Sequence, residues 1–125
     1  MSYEKVRRDL IYVRIIEQVK LDIASGRYPN GTRLPSVRRY AKDLGVNPNT
    51  VQKALVMLED EGILFTKRTA GRFVTNNKRS LDNLRQTLAD EEVGRAMHCL
   101  KRLGYSTEEM NELVKRTWRK LSDDV

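Results

Sequence analysis

Asn49, Thr50, Gln52 and Lys53 lie on the side of a helical repeat left free by Val51, Ala54, Leu55 and Leu58. Asn and Gln pair a donor with an acceptor in the pattern of an adenine edge. Thr offers a hydroxyl for phosphate and a methyl-compatible surface for thymine, and Lys suits guanine or phosphate. Such groups recognise; they do not make or break bonds. Arg38 and Arg39 open an earlier helix, with Arg33 just before it, where guanidinium groups would meet a phosphate backbone. Lys67, Arg68 and Arg72 gather around a hairpin tip. Phosphate contacts position a protein on a duplex, whereas base contacts select sequence. Taken singly, each side chain is equally explained as a solvated face, and the Lys67–Arg72 cluster as a solubilising patch. Their joint register points to double-stranded DNA.

Other chemistries lack their residues. The chain has one histidine, His98, beside one cysteine, Cys99. An intrachain disulfide is therefore impossible, and a zinc site of the usual kind needs three or four such ligands. No Ser/His/Asp or Cys/His arrangement forms, so no enzyme, metal or cofactor is expected. Cys99 falls in an apolar helical pattern and is expected to be a small buried hydrophobe; His98 is expected at a surface or interface. The acidic run Glu59-Asp60-Glu61 ends a helix and is expected to be solvated. Residues 1–79 carry 16 Lys and Arg against 8 Asp and Glu, a net of +8, and residues 80–125 carry 8 against 9, a net of −1, within a total of +7. The basic excess thus sits with the half that carries the reading residues and not with the remainder, which favours a nucleic-acid partner. No apolar run approaches the ~18 residues of a spanning helix. MSYEKVRRDL lacks the apolar core of a signal peptide, so a cytoplasmic protein with no membrane partner is expected.

Positioning these residues requires a mainly α fold. A first helix is expected from about Asp9, its cap, to Ser25, with Tyr12, Ile15, Ile16, Val19 and Ile23 as one apolar stripe. Tyr28-Pro29-Asn30-Gly31 reads as a β-turn. Ser36 caps a second helix that directs Val37, Tyr40, Ala41 and Leu44 to the core and stops at Gly45. Asn47 caps a third, with Pro48 at its first position, and Gly62 ends it. Ile63–Lys67 and Arg72–Thr75 are strand candidates around Arg68-Thr69-Ala70-Gly71, where Gly71 supplies backbone freedom. Three helices and a two-stranded wing make a winged helix-turn-helix.

The stretch GRYPNGTRLPSVRRYAKDLGVNPNTVQKALVMLEDEGILFTKRTAGRFV resembles the DNA-binding domain of GntR-type regulators. The matching elements are Leu34-Pro35-Ser36 with Arg38, Gly45-Val46, Thr50-Val51 and Leu58-Glu59-Asp60-Glu61-Gly62. The Asn47-Pro48-Asn49-Thr50-Val51 form and a short tail point to the YtrA-like branch. The resemblance implies a homodimer bound to operator DNA, mostly as a repressor, and released by a small-molecule effector. It transfers DNA contacts onto Arg38, Asn49, Thr50, Gly71 and the basic neighbours of Gly71; Ser36 and Asn47 are included as cap residues at the same surface. Val37 stands where many members carry an acid, and Gln52 where many carry an arginine, which alters the cap and the expected base preference. Val56 and Met57 are unusually apolar, as for a packing contact with the tail.

Residues 1–76 are thus expected to form the DNA-binding domain and residues 77–125 a small α-helical dimerisation and effector-response tail. In the tail Ser80 is expected to cap a fourth helix with Leu81, Leu84 and Leu88 on one side. The stripe changes phase near Asp90, where a kink or break is expected, and resumes as Val93, Ala96, Met97 and Leu100. Ser106-Thr107-Glu108-Glu109 forms a capping box for a fifth helix burying Met110, Leu113, Val114, Thr117 or Trp118, and Leu121. Two helices are too few to cover Leu81, Leu84, Leu88, Met97, Leu100, Leu113 and Trp118, so a second copy is the expected cover. A winged helix can also serve as a protein-binding module, but such a module would not need the cationic faces found here.

Overall fold

The computed structural model describes residues 2–124, which fall into two compact units, one ending at Gln86 and the other starting at Thr87. In the first unit, α1 (Tyr3–Ala24), α2 (Val37–Leu44) and α3 (Pro48–Asp60) precede β1 (Leu64–Lys67) and β2 (Gly71–Val74). Helix α3 is the hub and packs on α1, α2 and β1. Its Val51, Ala54, Leu55 and Leu58 join Ile15, Ile16, Val19 and Ile23 of α1 and Tyr40 and Ala41 of α2 in the buried core. The mainly α winged helix-turn-helix fold is the one expected.

Helix α1 starts six residues earlier than expected, because Ser2, not Asp9, caps it: the Ser2 Oγ accepts from the Lys5 N–H at 3.2 Å. Tyr3, Val6, Leu10 and Val13 lie on the face opposite the core stripe and stay exposed. Core periodicity therefore begins only at Ile11–Tyr12 and could not register the first turns. At the other end Asp22 is buried, and its carboxylate accepts from Gln18 Nε2 at 3.0 Å and lies 3.5 Å from both the Tyr40 hydroxyl and the Arg27 guanidinium. A buried carboxylate is tolerated only with such partners. Here they tie α1 to α2. Burial first, then the neighbouring Tyr28 and Asp22, push the Tyr40 phenol well above its ordinary range, so it remains a protonated donor to Asp22.

The caps of α2 and α3 are as expected. Ser36 Oγ accepts from the Arg39 N–H at 3.1 Å, and Asn47 Oδ1 accepts from the Asn49 N–H at 2.8 Å with Pro48 at the start of the helix. Gly45, at φ 66°, makes the left-handed turn between the helices. Leu44, expected in the core, is instead 37% exposed, because it closes an eight-residue helix and faces a shallow cleft with Ile11 and Val46. The wing strands pair antiparallel from Leu64↔Val74 to Lys67↔Gly71, with Phe65 and Phe73 stacked at 5.7 Å. A third backbone segment joins them: the Leu34 N–H donates to Arg72 O and the Val74 N–H to Thr32 O, both at 2.9 Å. The turn before α2 is thereby fixed to the wing.

Helix α4 (Lys78–Arg102) runs across the division between units and α5 (Thr107–Asp123) follows it. Asn77, not Ser80, caps α4, its Oδ1 accepting from the Ser80 N–H at 3.1 Å. The expected break near Asp90 is absent. Ala89-Asp90-Glu91-Glu92 contains no Pro or Gly, and a change of apolar face does not require a change of backbone. The capping box of α5 is formed, with Glu109 Oε1 accepting from the Ser106 N–H at 3.0 Å and Ser106 Oγ from the Glu109 N–H at 3.2 Å. These bonds from Ser106 hold the Glu109 carboxyl below the usual carboxylate range. Cys99 is exposed, contrary to expectation, because Ala96, Met97 and Leu100 carry the apolar side of α4 and helical rotation turns Cys99 away from it.

The core assigns α3 a rotation about its axis, and Leu58 is one of the fully buried side chains that set it. Leu58→Ala should lower unfolding stability by about 3 kcal/mol, read as a fall in the urea midpoint with an unchanged slope. A loss of less than about 2 kcal/mol, the lower end for a buried Leu→Ala truncation, would contradict this packing.

Candidate nucleic-acid interface

With its inner side fully covered, α3 presents Asn49, Gln52, Lys53 and Val56 outward, and all four are exposed. Thr50 is half-buried on one flank. Asn47 and Ser36 point into their own helices: besides its side-chain bond, Asn47 accepts from the Thr50 N–H through its carbonyl at 3.0 Å. Both residues fix the helix starts that carry the neighbouring groups. Arg38 and Arg39 are exposed on the first turn of α2. Arg39 makes only a solvent-exposed pair with Asp43 at 3.5 Å. Exposed pairs of this kind are worth about 0–1 kcal/mol and exchange readily for another anion.

The wing divides its cations between two tasks. Lys67 and Arg68 are exposed near the tip, with the Lys67 ammonium 4.7 Å from the Phe73 ring centre. Arg72, expected as a third free charge there, turns toward α3. Its Nε pairs with Glu59 Oε1 and its Nη1 donates to Gln52 Oε1 at 3.2 Å. The Thr66 hydroxyl donates to Glu59 Oε2 at 2.8 Å. Glu59 is accordingly not the solvated acid expected from its position in an acidic run; it anchors the wing to the recognition helix. Partial burial would raise its carboxyl, but the hydrogen bonds from Arg72 and Thr66 outweigh that and hold it below its ordinary value.

Gly71 permits a close approach. Its φ is +104°, and a Cβ there would lie 3.0 Å from Arg33 Nε, so any side chain would displace the guanidinium that rests on the strand. Arg33 is exposed at the edge of the wing, with its guanidinium beside this glycine. The outward amides of α3, the α2 arginines and the wing cations lie in one unit held by one core, which suits a polyanion better than any small ligand. Sequence reasoning overlooked the Glu59–Arg72–Gln52 brace. Its only trace is a strand arginine following the Leu58-Glu59 exit from α3.

The tail residues are distributed unevenly. Leu84 is buried, whereas Leu81, Leu88, Met97, Leu100 and Leu113 are half-buried. Trp118 is 70% exposed, and Val114 and Leu121 are also exposed, so α5 does not bury the residues expected of it. Helices α4 and α5 leave between them an apolar groove of about 290 Å³ lined by Met97, Leu100, Leu113, Trp118 and their neighbours.

The profile of the gntR family of bacterial regulatory proteins matches residues 11–74. The HTH-type transcriptional repressor YtrA of Bacillus subtilis is 36% identical over 106 residues, covering 84% of this chain and 82% of YtrA. The HTH-type transcriptional regulator YhcF of the same organism is 34% identical over 105 residues, covering 84% and 87% of the two chains. Among solved structures, a GntR family transcriptional regulator from Listeria monocytogenes superposes with a TM-score of 0.79 at 33% identity, over 85% of this chain and 93% of that one. A transcriptional regulator from Oenococcus oeni gives a TM-score of 0.66 at 28% identity, over 86% and 90%.

The Glu59 brace has a pH signature. A carboxyl lowered in the fold stabilises the protein above its ordinary value near 4.5, and that contribution disappears as the pH falls through the lower folded value. Glu59→Gln should lose about 1 kcal/mol at neutral pH and should be less destabilised than the parent when both are acidified below that range. Equal acid sensitivity in thermal unfolding would show that the pair contributes nothing.

Proposed function

Because the chain belongs to the gntR family of bacterial regulatory proteins, and is thus a DNA-binding transcriptional regulator and not an enzyme, we propose that it is a repressor that binds a palindromic operator as a homodimer. The observation that carries this reading is the outward face of α3, set by a fully buried inner face and flanked by exposed cations on α2 and the wing. In this reading α3 enters the major groove. Asn49 addresses base edges, Lys53 a guanine or a phosphate, and Gln52, its oxygen engaged by Arg72, offers its amide N–H groups. Thr50, Arg33, Arg38, Arg39, Lys67 and Arg68 hold the phosphates. Ser36, Asn47, Gly71 and Arg72 act by position, as caps, close approach and brace.

Residues 1–76 would then be the reading domain and residues 77–125 the dimerisation tail. None of the described residues from Thr87 onward is buried, although the segment carries Met97, Leu100, Leu113 and Trp118. A segment of that size with an uncovered apolar groove needs another layer, and a second copy supplies one with two-fold symmetry. Leu81 and Leu88 lie half-buried on the other apolar face of α4 and are assigned to the same contact with a second copy, whereas Leu84 is already buried. Repression is favoured because YtrA, similar over most of both chains, is named a repressor. No helix of the described chain is long and apolar enough to cross a membrane, in keeping with action in the cytoplasm.

Two measurements test this reading. Sequences selected from a random DNA pool should contain an inverted repeat, and Arg38→Ala and Thr50→Ala should each weaken binding to it about tenfold, equivalent to about 1.4 kcal/mol of lost contact, with unfolding unchanged. Affinities within twofold of the parent for both would mean the wrong face has been assigned. Trp118→Glu should convert a dimer to a monomer by light scattering; a monomeric parent, or a dimeric variant, would remove the tail from the assembly.

A further inference from the structure

Helix α1 continues two turns beyond anything the core requires: residues 3–10 are all exposed, and the gntR match begins only at residue 11. One side of this extension still faces α3. Lys5, Arg8, Asp9 and Tyr12 line a groove of about 370 Å³ with Thr50 and Lys53 of the recognition helix. The Tyr12 hydroxyl donates to Met57 Sδ at 2.9 Å and seats α1 beside α3. At 100° per residue, Thr50 and Met57 lie on the flank of α3 opposite Gln52 and Glu59, which hold the wing. The recognition helix thus has the wing on one flank and the α1 extension on the other.

The charge in this groove is unbalanced. Three cations share it with one carboxylate, Asp9, and among the described residues Lys5, Arg8 and Lys53 make no ion pair. Like charges brought together in a concave site repel unless an anion enters, and the Thr50 side chain adds a hydroxyl donor at the same place. We propose that the α1 extension is a second phosphate-binding arm: Lys5 and Arg8, with Lys53 across the groove, hold the DNA backbone on the side of α3 away from the wing. This inference rests on the DNA-reading role proposed above. The groove is cationic and lies between two helices, and its position next to exposed Asn49 makes it continuous with the base-reading face.

Salt dependence tests it. Binding of the full chain to a duplex selected from a random pool, and to a duplex of scrambled sequence, is followed by fluorescence anisotropy over a range of salt for the parent, Lys5→Ala/Arg8→Ala and Arg7→Ala. Arg7 is exposed on the same turn but does not line the groove. Each lost phosphate contact lowers the slope of log affinity against log salt by about 0.9, so the double variant should lose nearly two. It should also weaken on both duplexes by the same factor, while Arg7→Ala keeps the parent slope. A double variant within twofold of the parent at every salt, or an equal shift in Arg7→Ala, overturns the arm while leaving the recognition face intact. A parent that binds neither duplex overturns the DNA reading itself and the arm with it. Lys5→Gln/Arg8→Gln, checked with the Ala pair by circular dichroism, separates loss of charge from any change in helix stability.

Discussion

Burial of Val51, Ala54, Leu55 and Leu58 fixes the rotation of α3 about its own axis, and every outward side chain of that helix is aimed by this packing. A helix has only one way to bury a four-residue stripe of this spacing, so Asn49, Gln52, Lys53 and Val56 have no choice but to face out. The Asn47 cap and Pro48 then fix where the helix begins, and hence the height of Asn49 and Thr50 above the core. The polar side of this helix is therefore specified by apolar residues that touch nothing outside the protein.

Two polar links hold the remaining elements to that frame. Asp22 is buried yet satisfied, and through Tyr40 and Gln18 it connects the end of α1 to α2. Glu59 connects the end of α3 to the wing through Arg72 and Thr66, and Arg72 reaches on to Gln52. The second link joins a base-reading candidate to the wing, so the wing is tied to the recognition helix by side-chain bonds as well as by the core. Breaking one partner of such a link leaves the other partly buried and unpaired, a larger penalty than the net worth of the pair.

Much of this was legible in the sequence because caps and stripes are local signals. Ser36, Asn47-Pro48, Gly45 and the Ser106–Glu109 box act over three or four residues, and each forms as its spacing requires. Non-local relations were not legible. Glu59 lies in an acidic run that looks solvated until the wing folds back to bring Arg72 to it. The start of α1 escaped notice because its first turns are stabilised by the Ser2 cap and exposed on all sides of the core, leaving no burial period to detect. The continuity of α4 through Asp90 was hidden for a related reason: its apolar residues change face while the backbone does not. The side chains proposed for the interface were visible as types, but which of them are spent on capping and bracing became clear only from their hydrogen bonds.

In the proposed complex the polar face of α3 lies in the major groove at two sites on one side of a duplex. Protection of guanine N7, which opens only to the major groove, from dimethyl sulfate on a selected operator measures it directly. Two protected patches, centred about 10 base pairs or a multiple of one turn apart, are predicted. Unprotected N7 positions with contacts confined to the backbone or the minor groove, or one patch without a symmetric mate, would contradict it.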